Sequence, residues 1–431
     1  MSSEALAFLM FVAGLVLLMG IGLNMAFALV LTGAAMAWAL DFWDTQLLAQ
    51  NMVAGIDSFP LLAVPFFILA GELMNSGGIS RRIIEMAQAW VGHIRGGLGF
   101  VAIGAAVLMA SMSGSALADT AALATILLPM MRQQGYPMHT SAGLIASGGI
   151  IAPIIPPSMP FVIYGVTTNT SISALFISGI VPGILMGVGL IVAWKLQLRS
   201  IELPPGGERP PLATRLRAVR KAFWALLMPL IIIGGMKSGV FTPTEAAVVA
   251  AMYALVVALF IHRELTIVDV GPVLVRAAKT TAVVMFLCAG AQVASYMITL
   301  ADLPNVLTGW LGTMVNNPRL LMAAMMLALV LIGTALDLTP TILIFAPVML
   351  PIAVKAGIDP VYFGLMFVLN GAIGLITPPV GTVLNVVAGV GRLPMHQVIK
   401  GVNPFLFTYL LILILFIVFP QLVTAPVAWM R

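Results

Sequence analysis

Two short clusters of hydroxyl and carboxylate side chains interrupt a chain that is otherwise almost as apolar as lipid. The first cluster lies in SMSGSALADT, residues 111–120, and the second lies in GTALDLTPT, residues 333–341. Serine, threonine and aspartate oxygens are hard ligands, so they suit a hard cation such as Na⁺. Main-chain carbonyls can complete such a cage where a membrane helix is unwound. The chemistry that these residues indicate is therefore binding of a cation by oxygen atoms.

Each cluster is followed by a proline pair within an apolar run. The pairs are Pro156-Pro157 in SGGIIAPIIPPS and Pro378-Pro379 in GAIGLITPPVGT. Because proline has no N–H, the pairs are expected to free the carbonyls of residues 152, 153, 374 and 375. Free carbonyls are costly in hydrocarbon, so such backbone is tolerated only inside protein or beside a wet cavity. A single proline could be a plain kink, but the repeated pair favours two broken helices.

The composition excludes a soluble globular protein. The chain has 431 residues, of which 61% are hydrophobic and 8% charged, and its mean hydropathy is +1.11. A soluble domain carries about 25% charged residues. The apolar runs do not alternate with polar positions, which excludes a transmembrane β-barrel. A polytopic α-helical membrane protein is therefore predicted.

Other residue types point away from several kinds of site. The single cysteine, Cys288, excludes a disulfide or thiolate metal site within the chain, and the four histidines are scattered. The net charge of +5 is attributed to loops on the cytoplasmic side and not to a nucleic-acid surface. The lipid bilayer is thus an expected partner, and nucleic acid is not.

The polar clusters each lie between two short apolar arms, a pattern typical of a re-entrant hairpin with a polar tip. The arms are Leu98–Ala110, Leu117–Met131, Leu320–Thr334 and Ile342–Lys355. Longer apolar runs predict membrane spans. These comprise two spans within Ala5–Leu40 and one each at Leu61–Met74, Ile172–Trp194, Ala222–Met236, Ala246–Ile261, Thr280–Leu300 and Phe405–Phe419.

Three less apolar segments separate these elements. Leu196–Arg220 is rich in proline, glycine and basic residues, which predicts a cytoplasmic linker. Ile79–Arg95 has an amphipathic pattern, so it is expected to lie along the membrane interface, and Asn305–Asn317 is expected to do the same.

The two halves of the chain share an ordered set of residues at a constant separation of 222. This shift pairs the two proline pairs, and it also pairs Leu128-Pro129 with Leu350-Pro351 and Gly149 with Gly371. Such a run indicates an internal duplication.

The charges around one pair of spans indicate that the copies are inverted. Arg81 and Arg82 follow the span at Leu61–Met74, whereas Arg276 and Lys279 precede its counterpart at Thr280–Leu300. Under the positive-inside rule the two spans run in opposite directions. Inverted repeats with broken helices predict a midplane site, where the ends of half-helices suit an anion.

The polar residues at this site could have structural roles instead of binding a ligand. Asp119 and Asp337 are ionisable and are candidate ligands inside a membrane. Either aspartate could instead cap the second arm of its hairpin. Serine and threonine hydroxyls could bond to the backbone of their own helix.

With SGSALADTAA, GGIIAPIIPPS and GLITPPVGT in view, the chain resembles the large membrane subunit of a tripartite ATP-independent periplasmic (TRAP) transporter. The resemblance implies Na⁺-driven uptake of an organic acid, such as a C4-dicarboxylate or sialic acid, across the bacterial inner membrane. It implies two partner proteins, a periplasmic substrate-binding protein and a small four-helix membrane subunit on a separate chain. Two or more Na⁺ ions and no organic cofactor are expected.

The resemblance also implies particular site residues. The first Na⁺ site would use Ser113, Ser115, Gly148, Gly149 and Pro153. The second would use Gly333, Asp337, Asn370, Gly374 and Thr377. The organic acid would lie between the two tips, where the candidate residues are Ser115, Asp119, Ser158, Thr339, Thr382 and Asn385.

The implied architecture is an all-α elevator-type transporter. Residues 98–195 and 320–431 would form the moving transport domain, each with one hairpin and one broken helix. Residues 1–97 and 196–319 would form the scaffold, with the two interfacial arms and the basic linker. Such a protein would not be an enzyme.

Two alternatives remain open at this point. One is a stand-alone Na⁺/dicarboxylate symporter of related fold, which would need no receptor. The other is a membrane-embedded serine hydrolase using Ser113 or Ser115, because SMSGSA resembles part of a nucleophile elbow. All four histidines lie at the ends of spans or in loops, which argues against a base within reach of either serine.

Overall fold

The computed structural model describes residues 3–203, 206–302, 309, 314, 316–334 and 336–430. Within these ranges the chain forms α-helices joined by short connections, and it contains no β-strand. The helices are α1 Ser3–Gly20, α2 Met25–Ala39, α3 Thr45–Ala54, α4 Ala63–Ser76, α5 Ile79–Val91, α6 Gly97–Ser113, α7 Ala116–Gln133, α8 Met138–Gly149, α9 Met159–Thr168, α10 Ile172–Gln197, α11 Leu212–Lys237, α12 Pro243–Val256, α13 Ile267–Leu300, α14 Pro318–Gly333, α15 Leu338–Lys355, α16 Pro360–Gly374, α17 Thr382–Gly391, α18 Met395–Val418 and α19 Gln421–Met430.

The prediction of a polytopic helical membrane protein is confirmed. Six helical segments of the described chain are long and apolar enough to cross a membrane. They are Phe59–Ser76, Ile172–Gln197, Pro243–Ile261, Ile267–Leu300, Leu338–Lys355 and Met395–Val418. Hydrocarbon offers no hydrogen-bond partners to the backbone, whereas an α-helix pairs its own N–H and C=O groups. Apolar runs of this length therefore fold as helices.

The prediction of a linker at Leu196–Arg220 is wrong in its bounds. Helix α10 continues to Gln197, and α11 already begins at Leu212, which leaves only residues 198–211 as the connection. Helix α13 likewise begins at Ile267, well before the expected span at Thr280–Leu300. Both differences have the same physical reason: basic residues lower the hydropathy of a segment without lowering its helix propensity.

Two short helices were not predicted, and one predicted segment falls outside the description. Helix α3 is begun by Asp44, whose Oδ1 accepts hydrogen bonds from the N–H groups of Gln46 and Leu47. Helix α19 follows the expected last span. The interfacial arm expected at Asn305–Asn317 lies almost wholly outside the described residues, whereas the other arm forms α5 and ends at Val91.

Five consecutive helices have counterparts 222 residues later. Both bounds of α7 and α15 differ by 222 residues. The bounds of α6 and α14, α8 and α16, α9 and α17, and α10 and α18 follow the same shift to within three residues. The paired order in each half is therefore two hairpin arms, a helix before the proline pair, a helix after it, and a long closing helix.

The two halves pack into each other. Helix α17 packs against α7, and its counterpart α9 packs against α15, the counterpart of α7. Helix α8 crosses α18 so closely that a methyl group on Gly143 would overlap the backbone of Gly401. The Tyr409 hydroxyl of α18 donates to the carbonyl of Ser147 near the end of α8, at 2.7 Å. This packing buries the first proline break, whereas the second is partly open, with Pro378 half-buried and Pro379 exposed.

Candidate functional site

The first polar cluster forms the turn between α6 and α7. Gly114 has a φ of 62°, in the left-handed region that glycine adopts without steric cost. Ser115 is the N-cap of α7, and its Oγ accepts a hydrogen bond from the N–H of Ala118. Only residues 114 and 115 separate the arms, so the predicted helical hairpin with a polar tip is present.

A hydrogen-bonded pair organises this first tip. The Ser113 hydroxyl donates to Oδ1 of Asp119 and accepts from the N–H of Ser115 at 3.1 Å. Asp119 is 2% exposed, and its Oδ2 makes no hydrogen bond within the described residues. The same holds for the buried Oγ1 of Thr120. Because Ser115 is the N-cap, Asp119 does not cap α7, which removes the capping alternative for this residue.

The first tip lies directly against the first proline break. A methyl group built on Gly114 would stand 2.6 Å from the carbonyl oxygen of Pro157 and 3.1 Å from Cα of Ser158. Gly149, at the end of α8, faces the Thr120 side chain so closely that any side chain there would overlap it. Gly148 instead packs against Ala106 of α6. Of the two candidate glycines, only Gly149 therefore meets the tip.

The carbonyl of Pro153 was expected to be free because proline lacks an N–H, but in the structure it accepts a hydrogen bond. The Ser158 hydroxyl donates to it, and Ser158 also caps α9 by accepting from the N–H of Phe161. A carbonyl oxygen has two lone pairs, so this bond leaves one available. Ser158 thus stabilises the backbone at the break. Its role in substrate binding stays a prediction.

The second polar cluster forms the turn between α14 and α15. Asp337 occupies the N-cap position of α15, but its side chain makes no capping hydrogen bond. Its Oδ1 instead accepts from the Thr382 hydroxyl at 3.2 Å, and Thr382 is the first residue of α17. The carboxylate therefore joins the second tip to the far side of the second break.

The second tip and the second break also meet backbone to backbone. A methyl group on Gly374 would stand 2.8 Å from Cα of Gly333. The N–H of Val380 donates to the carbonyl of Thr334 at 3.3 Å. In both halves, then, a glycine at the hairpin tip lies against the broken helix of the same half.

The carbonyls expected to be free at the second break also have partners. The carbonyl of Gly374 accepts from the N–H of Thr377 at 3.0 Å, and that of Leu375 accepts from Val383 at 3.1 Å. The Thr377 hydroxyl donates to the carbonyl of Ile373, so it bonds to its own helix. A turn at the end of α16 thus satisfies the carbonyl of Gly374, whereas that of Leu375 is satisfied from the first turn of α17, across the break.

Asn370 is the most informative side chain near the second break. It is fully buried, and its Nδ2 donates to the carbonyl of Met326 on α14 at 2.6 Å. Its Oδ1 makes no hydrogen bond within the described residues. A buried polar oxygen without a partner is uncommon, so this oxygen is a candidate ligand.

The remaining substrate candidates are distributed around the tips and breaks. Thr339 is half-buried in the first turn of α15, and Ser115 is half-buried at the first tip. Asn385 is exposed on α17 and donates to the carbonyl of Val380 at 3.2 Å. Their role in binding a substrate stays a prediction. Thr120 was not among the predicted ligands, although its position directly after Asp119 was visible in the sequence.

The donor set fits an alkali cation better than a transition metal. Asp119 Oδ2, Thr120 Oγ1 and Asn370 Oδ1 are buried atoms near the junctions that have no hydrogen-bond partner in the described part of the chain, and all three are oxygens. Within the described ranges, no group of three or more His, Cys, Asp and Glu residues could hold a metal. Nor does a hydrogen bond in these ranges join Ser113 or Ser115 to a histidine, as a hydrolytic site would require.

Comparison with known proteins gives the family. Residues 12–422 match the family described as the tripartite ATP-independent periplasmic transporter, DctM component. The chain is 50% identical over 426 residues to the 2,3-diketo-L-gulonate TRAP transporter large permease protein YiaN of Escherichia coli, covering 99% of this chain and 100% of that one. It is 41% identical to the sialic acid TRAP transporter large permease protein SiaM of Vibrio cholerae, covering 93% of each chain. It is 39% identical to the C4-dicarboxylate TRAP transporter large permease protein DctM of Pseudomonas aeruginosa, covering 89% and 90%.

A solved structure shows a related fold. The YdaH transporter of Alcanivorax borkumensis superposes with a TM-score of 0.62 over 86% of this chain and 87% of that one, at 15% identity. This likeness concerns the fold alone. Because the family match and the relatives extend over nearly the whole chain, this polytopic membrane permease belongs to the family of TRAP transporter large permease subunits.

Proposed function

We propose that this chain carries an organic acid across the bacterial inner membrane, coupled to the inward movement of Na⁺. The named relatives transport diketogulonate, sialic acid and C4-dicarboxylates, all of which carry a carboxylate at neutral pH. A carboxylate substrate is thus the chemistry that this chain is expected to share with them.

The contact between tip and break in each half is the observation that carries the proposal. Gly114 lies against Pro157, and Gly333 lies against Gly374. Buried oxygens without a hydrogen-bond partner among the described residues lie in the first turns of α7, after the first tip, and on α16 one turn before Gly374. We assign the first Na⁺ site to the junction at Asp119 and the second to that at Asn370. A bound Na⁺ would supply positive charge that offsets a carboxylate and draws each tip toward its break.

The anion would lie between the two tips, as expected from the sequence. The described residues place no lysine or arginine at either tip, since Arg132 is at the opposite end of α7 and donates to the carbonyl of Gly391. Recognition of a carboxylate would then depend on hydroxyls and on the partial positive charge at the N-terminal ends of α9 and α17. Selectivity would be left largely to the periplasmic binding protein.

Inverted repeats and an elevator movement form part of the same proposal. The matching helix bounds and the reciprocal packing of α7 with α17 and of α15 with α9 support the repeats. Residues 98–195 and 320–431 would move as one body against residues 1–97 and 196–319. Na⁺ would favour the state in which both tips are ordered, so that the anion binds only with the ion.

Two partner proteins complete the proposed assembly. The family is described as tripartite and periplasmic, which supports a separate small membrane subunit and a periplasmic binding protein. The test is uptake by vesicles that contain the chain and its small subunit, with loaded binding protein outside. Uptake should require an inward Na⁺ gradient, and equal uptake with K⁺ in place of Na⁺ would contradict the proposal. Full uptake of free substrate without the binding protein would favour the stand-alone symporter.

A further inference from the structure

A basic pocket away from the tips has no part in the transport proposal. It has a volume of about 450 Å³ and lies where the first half of α11 meets α5 and the segment that follows α12. Its walls include Arg217, Arg220, Lys221 and Trp224 from α11. Arg82 from α5 and His262 after α12 close the other side.

The cations of α11 carry the uncompensated charge in this pocket. Arg217, Arg220 and Lys221 are exposed, and their spacing of three and four residues places them on one face of the helix. None of the three has a carboxylate partner within 4.0 Å among the described residues. Arg82, by contrast, is paired with Glu264 at 2.7 Å. The pocket therefore presents the charge of three free cations to a ligand.

His262 forms part of the pocket wall. Both of its ring nitrogens are buried, so they are out of reach of a ligand in the pocket. Binding of an anion there therefore depends on the cations of α11.

Exposed apolar side chains belong to the pocket lining or are next to it in the chain. Phe223 is 50% exposed, Phe260 67% and Ile261 38%. The Trp224 ring is 37% exposed and packs edge-on against Phe223. An inorganic anion has no apolar part that could pack on this surface, whereas the acyl chains of a lipid would cover it. Tryptophan beside basic residues is typical of the membrane interface.

We propose that this pocket binds the phosphate group of an anionic phospholipid from the cytoplasmic leaflet, such as phosphatidylglycerol. The three cations of α11 hold the phosphate, and the acyl chains lie along Phe223 and Phe260. Basic pockets between membrane helices on the cytoplasmic side are suited to such head groups. This binding does not depend on Na⁺ coupling or on the identity of the transported acid.

The test is native mass spectrometry of the full chain in detergent with added lipids. The probes are phosphatidylglycerol, phosphatidylcholine of the same acyl length, and inorganic phosphate as a competitor. The variant R217Q/R220Q/K221Q removes the pocket charge. The matched control K195Q/R199Q/R209Q removes three exposed cations outside the pocket lining.

The wild-type chain and the control should retain phosphatidylglycerol in preference to phosphatidylcholine, and the pocket variant should lose that retention by about tenfold or more. If the triple variant is poorly folded, Arg220→Gln alone should still lower retention severalfold. Unchanged retention in a folded pocket variant would overturn the proposal. Displacement of the lipid by low inorganic phosphate would overturn the assignment to a lipid and identify a soluble phosphate as the ligand.

Discussion

Gly374 lies against Gly333 so closely that a methyl group added to it would stand 2.8 Å from Cα of Gly333 and 2.9 Å from its carbonyl oxygen. This contact joins the end of α14 to the end of α16, where the second proline break begins. Real Cβ atoms essentially never approach backbone atoms so closely. Gly374 therefore requires glycine if the second tip is to close on the second break, whereas a methyl group on Gly333 would stand 3.1 Å from Cα of Gly374 and need a smaller shift.

Gly374→Ala is expected to separate this tip from its break and to abolish Na⁺-dependent uptake. Overpacking of a close contact costs about 1–3 kcal/mol of stability, so the chain should still fold. The matched control is Gly389→Ala on α17, because a methyl group there would meet no atom within 4 Å. Uptake and melting temperature are measured together in both variants. Normal uptake by a folded Gly374→Ala variant would show that the contact is not needed.

Asp119→Asn is expected to remove Na⁺ binding at the first tip while preserving its shape. The amide oxygen can still accept the hydrogen bond from Ser113, but the charge that would face the ion is lost. A ligand at about 100 times its Kd raises the free energy of unfolding by about 2.7 kcal/mol. The rise in melting temperature with Na⁺, relative to K⁺, should therefore shrink.

The control for this variant is Asp57→Asn, which removes an exposed carboxylate outside the tips. It should keep the full effect of Na⁺ on the melting temperature. A Na⁺-dependent rise of the same size in Asp119→Asn would exclude this carboxylate from the ion site.

Asn370→Leu is expected to weaken the second ion site. The change removes the oxygen that has no partner and the side-chain hydrogen bond to the carbonyl of Met326, a loss of about 0.5–1.5 kcal/mol. The dependence of uptake on Na⁺ concentration should become less steep, and half-saturation should need more Na⁺. Asn51→Leu is a matched control, since Asn51 also donates to a helix carbonyl but lies on α3. An unchanged Na⁺ dependence in Asn370→Leu would place the second ion elsewhere.

Gly143→Ala is expected to destabilise the crossing of α8 and α18 without touching either tip. A methyl group there would overlap the backbone of Gly401, which has no flexible end that could move aside. The expected loss is about 1–3 kcal/mol, seen as a lower melting temperature. Gly104→Ala on α6 meets open space, so it should be neutral or stabilising by up to about 1 kcal/mol. Equal melting temperatures for the two variants would contradict this packing.

The sequence was sufficient to predict the hairpin arms and the breaks, because proline and glycine fix backbone geometry locally. The turn at Gly114 and the end of α8 at Gly149 lie where the polar cluster and the proline pair indicated. The sequence did not predict where α11 begins, since Arg215 and Arg217 lower the hydropathy of the segment but are still helical. Helix bounds in charged segments therefore depend on tertiary packing that hydropathy does not report.

The hydrogen bonds within the site were harder to predict than the backbone. The carbonyl of Pro153 was expected to be free, yet it accepts from Ser158, five residues later in the chain. Asp119 and Asp337 looked alike as acidic residues near a tip, but only Asp337 occupies an N-cap position. Both outcomes depend on the direction of individual side chains, which a pattern of residue types does not specify.

The most direct test of the central claim is the movement of Na⁺ itself. Vesicles that contain the chain and its small subunit are given loaded binding protein, and labelled Na⁺ and labelled organic acid are followed in the same sample. The account predicts that Na⁺ enters together with the acid, in a fixed ratio of at least one ion per acid, and that Asp119→Asn reduces both fluxes. Entry of the acid at its full rate without accompanying Na⁺ would contradict the account.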